Sequence, residues 1–204
     1  MKRKIHKENI KNKILHTARR LFISQGYNAT TIRQIIGECD IKIGTIYHFY
    51  KDKEDILLHI AEKIFNHATT IADKDIEVDD SCLRFVKEIT SHLNLIVNDP
   101  QSKELYVVSY NSCTISKRII EKRVERNKEL FSKYNPDFTE EDYVSRAFFI
   151  KGFLQAISME KGLNNEINSK IITAKSIKIM LNLFNVPHEE IQRVLTSINE
   201  FIDE

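Results

Sequence analysis

Between Thr30 and Leu58 the chain reads TTIRQIIGECDIKIGTIYHFYKDKEDILL, and this stretch leaves few folds open. Thr31 with Gln34 three residues on is a capping box, a start signal for a helix. Ile32, Ile35, Ile36 and Cys39 then recur at helical spacing and give it one buried face. Glu38-Cys39-Asp40 closes it, since Asp tolerates the left-handed backbone of a sharp turn. A second short helix follows from about Lys42 to Phe49. It buries Ile46 with Phe49 or Tyr50 and turns Lys42, Thr45, Tyr47 and His48 outward. Asp52 reads as the N-cap of a third helix, with Glu54 and Asp55 in its first turn, where the dipole favours acid.

Two short helices joined by a tight turn form a helix-turn-helix, whose second helix enters the DNA major groove. A packing hairpin of the same shape has no need of Lys, Thr, Tyr and His on one face beside an Ile and a Gly. The order Thr31, Ile35, Ile41, Gly44, Thr45, Ile46, Tyr47, Phe49, Lys53 and Glu54, with Phe22 and Gly26-Tyr27 upstream, resembles the DNA-binding domain of the TetR family of bacterial repressors. The resemblance covers about the first sixty residues. Cys39-Asp40 stands where the family usually has Ala-Gly, Ile36 where Ala is usual, Lys42 where Ser is common, and Tyr50 where Phe is usual.

The resemblance implies a homodimer, a short palindromic operator in double-stranded DNA, and release by a small effector. It implies DNA contacts from Lys42, Ile43, Thr45, Tyr47 and His48. Thr45 and Tyr47 act mainly on the backbone, and Lys42 and Ile43 lie nearest the base edges. Gly44 allows close approach. Thr31 and Lys53 stand at helix starts, where free amide groups suit phosphate, and Arg33 is a further candidate.

Charge supports this. The net charge of +2 hides 12 Lys+Arg against 6 Asp+Glu in residues 1–60, and the reverse sign in the remainder. Positive charge gathers on the helix-turn-helix side, as phosphate binding requires. The basic start MKRKIHKENIKNK has no apolar core, so it is not a secretion signal, and no apolar run is long enough to span a membrane. Three cysteines without CxxC spacing fit reduced thiols in the cytoplasm.

Few breakers interrupt the chain, which has 5 Gly and 3 Pro in 204 residues. The periodicity predicts an all-α protein, with a helix-turn-helix domain over residues 1–50 and a helical effector-binding and dimerisation domain over 51–204. Residues 1–6 read as a mobile basic tail. The first helix spans about Lys7–Gln25 and ends at Gly26 in the C′ position. A long helix over Lys53–Asp73 connects the two parts. An acidic loop over 73–80 precedes helices over 81–98, 101–111, 116–134, 139–162 and 169–185. Pro187 takes the first position of a final helix.

Reaction chemistry is hard to find. His188-Glu189-Glu190 lacks the second His of a zinc site, and no nucleophile elbow, P-loop or dinucleotide fingerprint occurs. No catalytic residue, metal or cofactor is expected. The rival class is a helical-bundle enzyme or lipid-binding protein carrying an incidental hairpin; a third is a DNA-binding protein whose partner is another protein. For an effector, Phe85, His92, Tyr106, Tyr110, Cys113, Phe148, Phe149 and Phe153 are the candidate lining, which favours a hydrophobic or amphipathic ligand. For a dimer interface the candidates are Val144, Phe148, Gly152 and Gln155 on helix 139–162, and Ile177, Met180, Leu181 and Phe184 on helix 169–185.

Overall fold

The computed structural model describes residues 2–74, 80–160 and 169–202. All regular structure among them is helical: α1 (Lys2–Gln25), α2 (Ile32–Cys39), α3 (Ile43–Phe49), α4 (Lys53–Asp73), α5 (Ser81–Asn98), α6 (Pro100–Asn111), α7 (Cys113–Phe131), a 3-10 turn (Ser132–Tyr134), α8 (Glu140–Met159), α9 (Ser169–Leu183) and α10 (His188–Ile202).

Local signals account for most of the boundaries. The Thr31 hydroxyl accepts from the Gln34 amide, and the Gln34 side chain accepts from the Thr31 amide at 2.7 Å. Asp40 caps α2 in the left-handed region at φ 48. Asp52 accepts from the Asp55 amide at 2.8 Å, and Thr139 with Asp142 forms a second capping box at α8. Gly26 ends α1 at φ 86, a conformation that disfavours any side chain. Several boundaries differ from expectation. α1 begins at Lys2, so the basic segment expected as a mobile tail is helical. α7 begins at Cys113, because Ser112 accepts from the Ile115 amide at 3.1 Å. Pro187 sits at the N-cap of α10, where its carbonyl accepts from the Ile191 amide at 3.1 Å. α8 ends at Met159, short of the expected 162, with Glu160 as an extended C-cap, and most of the acidic 73–80 loop lies outside the described residues.

Apolar side chains bury themselves in two clusters. One joins Ile14, Ala18, Phe22, Ile35, Cys39, Ile46 and Tyr50 to Ile56, Leu57, Ile60 and Ala61 of α4, and also to Leu105 of α6 and Ile115 of α7. The other fills the space among α5, α7, α8, α9 and α10 with Phe85, Phe131 and Phe184 at its centre. The rings of Phe131 and Phe184 stack at 4.3 Å. Ile64 and Ile119 pack against both clusters. The core of the amino-terminal unit therefore runs past residue 50 and uses two helices of the other half.

Candidate nucleic-acid interface and effector cavity

α3 is a seven-residue helix whose only fully buried side chain is Ile46. Ile46 anchors it, and the opposite face turns outward. Ile43 is 60% exposed and Tyr47 54% exposed, and Lys42, Gly44 and His48 are exposed beside them; Thr45 is half-buried. An isoleucine and a tyrosine are thus left in water on the outward side of the helix, uncovered by the described residues. Gly44 has an ordinary helical backbone, and a Cβ built there meets nothing within 4 Å. Neither backbone geometry nor internal packing requires glycine at this position. Arg33 on α2 and Thr31 at its N-cap are exposed as well.

Lys53 is placed differently from expectation. Its ammonium donates to the carbonyls of Tyr27 at 2.7 Å and Thr30 at 2.8 Å and lies 4.3 Å from the centre of the Tyr27 ring. Burial lowers its pKa. Lys53 stitches the turn after α1 to the start of α4, and could grip phosphate only by giving up these bonds. Sequence spacing could not show this, because the carbonyls belong to a turn more than twenty residues away.

In the carboxy-terminal half a small cavity of ≈ 20 Å³ lies among α4, α5, α6 and α7, room for about one water molecule. Ala61, Ile64 and Phe65 supply the α4 wall; His92, Tyr106, Ser109, Tyr110, Leu105 and Ile119 complete it. Three of the expected residues, His92, Tyr106 and Tyr110, are thus brought together. The others are not. Phe85 sits in the second core against Phe131 at 5.1 Å. Phe153 packs half-buried on that core. Cys113, Phe148 and Phe149 are exposed. An aromatic stripe in sequence marks burial or interface as readily as a ligand wall. Ser109 and Phe65 were not foreseen; in a chain rich in both types, only the fold singles them out.

All four polar side chains of the wall are uncharged types. Burial, aided by the charge of Arg123, lowers the His92 pKa to about 3, so the imidazole is neutral. Burial raises that of Tyr110 to about 12 and holds that of Tyr106 well above its ordinary value. His92 Nδ1 and the Tyr106 hydroxyl are 2.5 Å apart. Behind the wall lies a buried ion network. Glu88 bonds the guanidinium of Arg123 and accepts from Arg126 Nε at 3.0 Å. Arg126 also donates to Asp73, the last residue of α4, at 2.5 Å, and Arg123 lies 4.7 Å from the Phe65 ring centre. The C-terminal end of α4 is therefore tied to α7 beside the cavity.

The dimer candidates divide by helix. On α8, Phe148 and Gly152 are exposed and Gly152 faces open space; Val144 and Gln155 are half-buried. Ile177, Met180, Leu181 and Phe184 are all buried in the monomer's own core, which corrects their assignment to an interface. The outward face of α9 carries Lys175, Ile179 and Asn182 instead, with Ile179 62% exposed. Phe149, 67% exposed, and Met159 extend the apolar face of α8.

The comparisons agree with this architecture. Residues 14–60 match the family described as bacterial regulatory proteins, tetR family. The chain is 44% identical over 52 residues to the HTH-type transcriptional regulator QacR of Staphylococcus aureus, covering 26% of this chain and 28% of QacR. It is 34% identical over 89 residues to the uncharacterized HTH-type transcriptional regulator YxaF of Bacillus subtilis, covering 41% of this chain and 47% of YxaF. The matched stretches thus span less than half of these curated relatives. In fold it is similar to RolR, solved in complex with resorcinol, with a TM-score of 0.64 at 16% identity, covering 93% of this chain and 94% of RolR.

Proposed function

Because residues 14–60 match the tetR family of bacterial regulatory proteins, we propose that this chain is a cytoplasmic DNA-binding transcriptional regulator, a homodimeric repressor released by a small apolar effector. The observation that carries the DNA reading is the face of α3. It presents exposed Ile43 and Tyr47 beside Lys42, Gly44 and His48, anchored by one buried isoleucine. Lys42 and Ile43 reach base edges. Thr45, Tyr47 and the start of α2 at Thr31 meet the phosphate backbone, which positions the protein without carrying sequence information. Neither surface nor cavity calls for bond-making.

Pairing two copies presents two such helices to successive major grooves about 34–36 Å apart. The face offered for pairing is Phe148, Phe149, Gly152 and Met159 of α8 with Ile179 of α9. Five large side chains or bare helix positions so exposed on two helices of the second half are a surface that a second copy can cover.

The effector acts at the α4–α7 cavity. Any ligand larger than a water molecule must push the walls apart, and one wall is α4 itself, whose other end carries the helix-turn-helix. RolR, of the same fold, holds resorcinol. A shift of α4 changes the separation of the two α3 helices and so loses base and phosphate contacts together. Allosteric couplings of about 1–3 kcal/mol are typical, equivalent to roughly 5- to 150-fold in operator affinity.

The experiment is a gel shift of the full chain on DNA from upstream of its own coding region, at ~0.15 M salt. The wild type binds; Lys42→Ala and Tyr47→Phe each weaken binding. Unchanged affinity in both variants overturns the placement of α3 in the groove.

A further inference from the structure

The imidazole of His92 is 3% exposed and only half satisfied. Its Nδ1 meets Tyr106, whereas its Nε2 is buried with no hydrogen-bond partner. A neutral imidazole carries one ring hydrogen. The phenol is the better acid of the pair, so the Tyr106 hydroxyl donates to Nδ1 and the ring hydrogen resides on Nε2. Nε2–H is then a donor without an acceptor, inside a ring of walls that are otherwise apolar or hydroxylic. A buried unsatisfied donor is a costly feature, and the residue that carries this one lines the cavity.

Charge narrows the choice of occupant. No carboxylate and no ammonium lines the cavity. The ionic groups close behind its rings are cationic: Arg123 lies 4.7 Å from the Phe65 ring centre and Lys151 5.8 Å from that of Tyr110, and Arg123 bears on His92, Tyr106 and Tyr110 alike. A cation placed in the cavity would leave water for an apolar wall with a guanidinium behind it and no counter-ion in front.

We infer that the cavity selects an uncharged, largely apolar molecule carrying a single hydrogen-bond acceptor, a carbonyl or hydroxyl oxygen, which takes the hydrogen of His92 Nε2. This rests on the reading of the cavity as the effector site and adds the chemistry of what enters it. The carbon skeleton lies against Ile64, Phe65, Leu105 and Ile119, and the oxygen points toward α5. Tyr106 is a positioning residue, since it acts through the ring of His92 by holding the tautomer.

The test uses the full chain without DNA and three aromatic probes: acetophenone, its carbon isostere α-methylstyrene, and the slightly larger cation benzyltrimethylammonium. Binding is read by titration of the ring ¹⁵N resonances of His92. Acetophenone binds about tenfold more tightly than α-methylstyrene, the ratio one net hydrogen bond gives, and moves the Nε2 resonance. The quaternary cation does not bind. His92→Phe brings the ratio of acetophenone to α-methylstyrene affinity, followed by calorimetry, to about one, and His92→Gln, which keeps an N–H donor, restores part of it. A ratio of one in the wild type, tight binding of the cation, or no binding of any probe overturns the inference. The ¹⁵N readout decides the matter even where a variant fails to fold. A separate titration of acetophenone into the preformed DNA complex reports on regulation. Binding through His92 with unchanged DNA affinity leaves the cavity chemistry standing and removes only its regulatory role.

Discussion

Gly44 separates folding from recognition at the level of one side chain. Its helical backbone and open surroundings mean that Gly44→Ala should leave the fold intact and stabilise it by up to about 0.5–1 kcal/mol, the ordinary helix preference for alanine over glycine. If Gly44 instead lets DNA approach α3 closely, the same methyl weakens operator binding. A higher melting temperature together with a weaker gel shift is the expected pair of results. Lys53 should behave in the opposite way. Lys53→Met removes two donor bonds to backbone carbonyls and should destabilise the chain by about 1–2 kcal/mol, measured by urea unfolding. His92 adds a pH signature. Its folded-state pKa of about 3 lies below the ordinary 6.5, so the unfolded chain takes up a proton that the folded one refuses. The contribution is fully present above pH 6.5 and is lost as the pH falls from there toward 3, at up to about 1.4 kcal/mol per pH unit. His92→Gln should flatten the dependence of stability on pH between 6.5 and 4.5.

Among the helices, the ion network is the most sensitive joint. Glu88 is wholly buried between Arg123 and Arg126, so Glu88→Ala leaves two guanidinium groups without their shared carboxylate. Breaking a buried pair in this way typically costs about 3–5 kcal/mol, and thermal unfolding should show a loss of that order. Helix starts were the most legible elements in the sequence. Thr31, Asp52 and Thr139 each cap within three residues, so the signal and its cause sit together. Partners across the fold were not legible. The apolar periodicity of 169–185 shows that α9 buries a face, but not whether the cover is another helix of the same chain or a second copy. Ile177, Met180, Leu181 and Phe184 lie in one core with Phe85 and Phe131, whereas Ile179 looks outward. The cavity is similar. His92 converges with Tyr106 and Tyr110 because α5 and α6 pack side by side, a distance of fourteen or more residues along the chain, whereas Phe85 lies two turns earlier on α5 and packs on Phe131 and Phe184.

For the molecule as a whole, the exposed faces of α8 and α9 predict a dimer. Sedimentation at micromolar concentration should give about twice the 23.9 kDa mass of one chain. Phe148→Glu with Ile179→Glu, both at exposed positions, should yield a folded monomer that binds DNA weakly, because one α3 helix meets one half-site only. A dimer unchanged by these substitutions would move the interface elsewhere.

The amino-terminal core is closed by Leu105 and Ile115 as well as by its own helices. During synthesis the ribosome releases α1 to α3 long before α6 and α7, so the residues that would touch DNA appear first on a core that lacks its lid. A nascent chain stopped after Asn98 should give a poorly dispersed spectrum and no gel shift, whereas one extended through Phe131 can close that core. DNA binding thus becomes available only once most of the second half exists, and an incomplete product has no finished helix-turn-helix with which to occupy the operator.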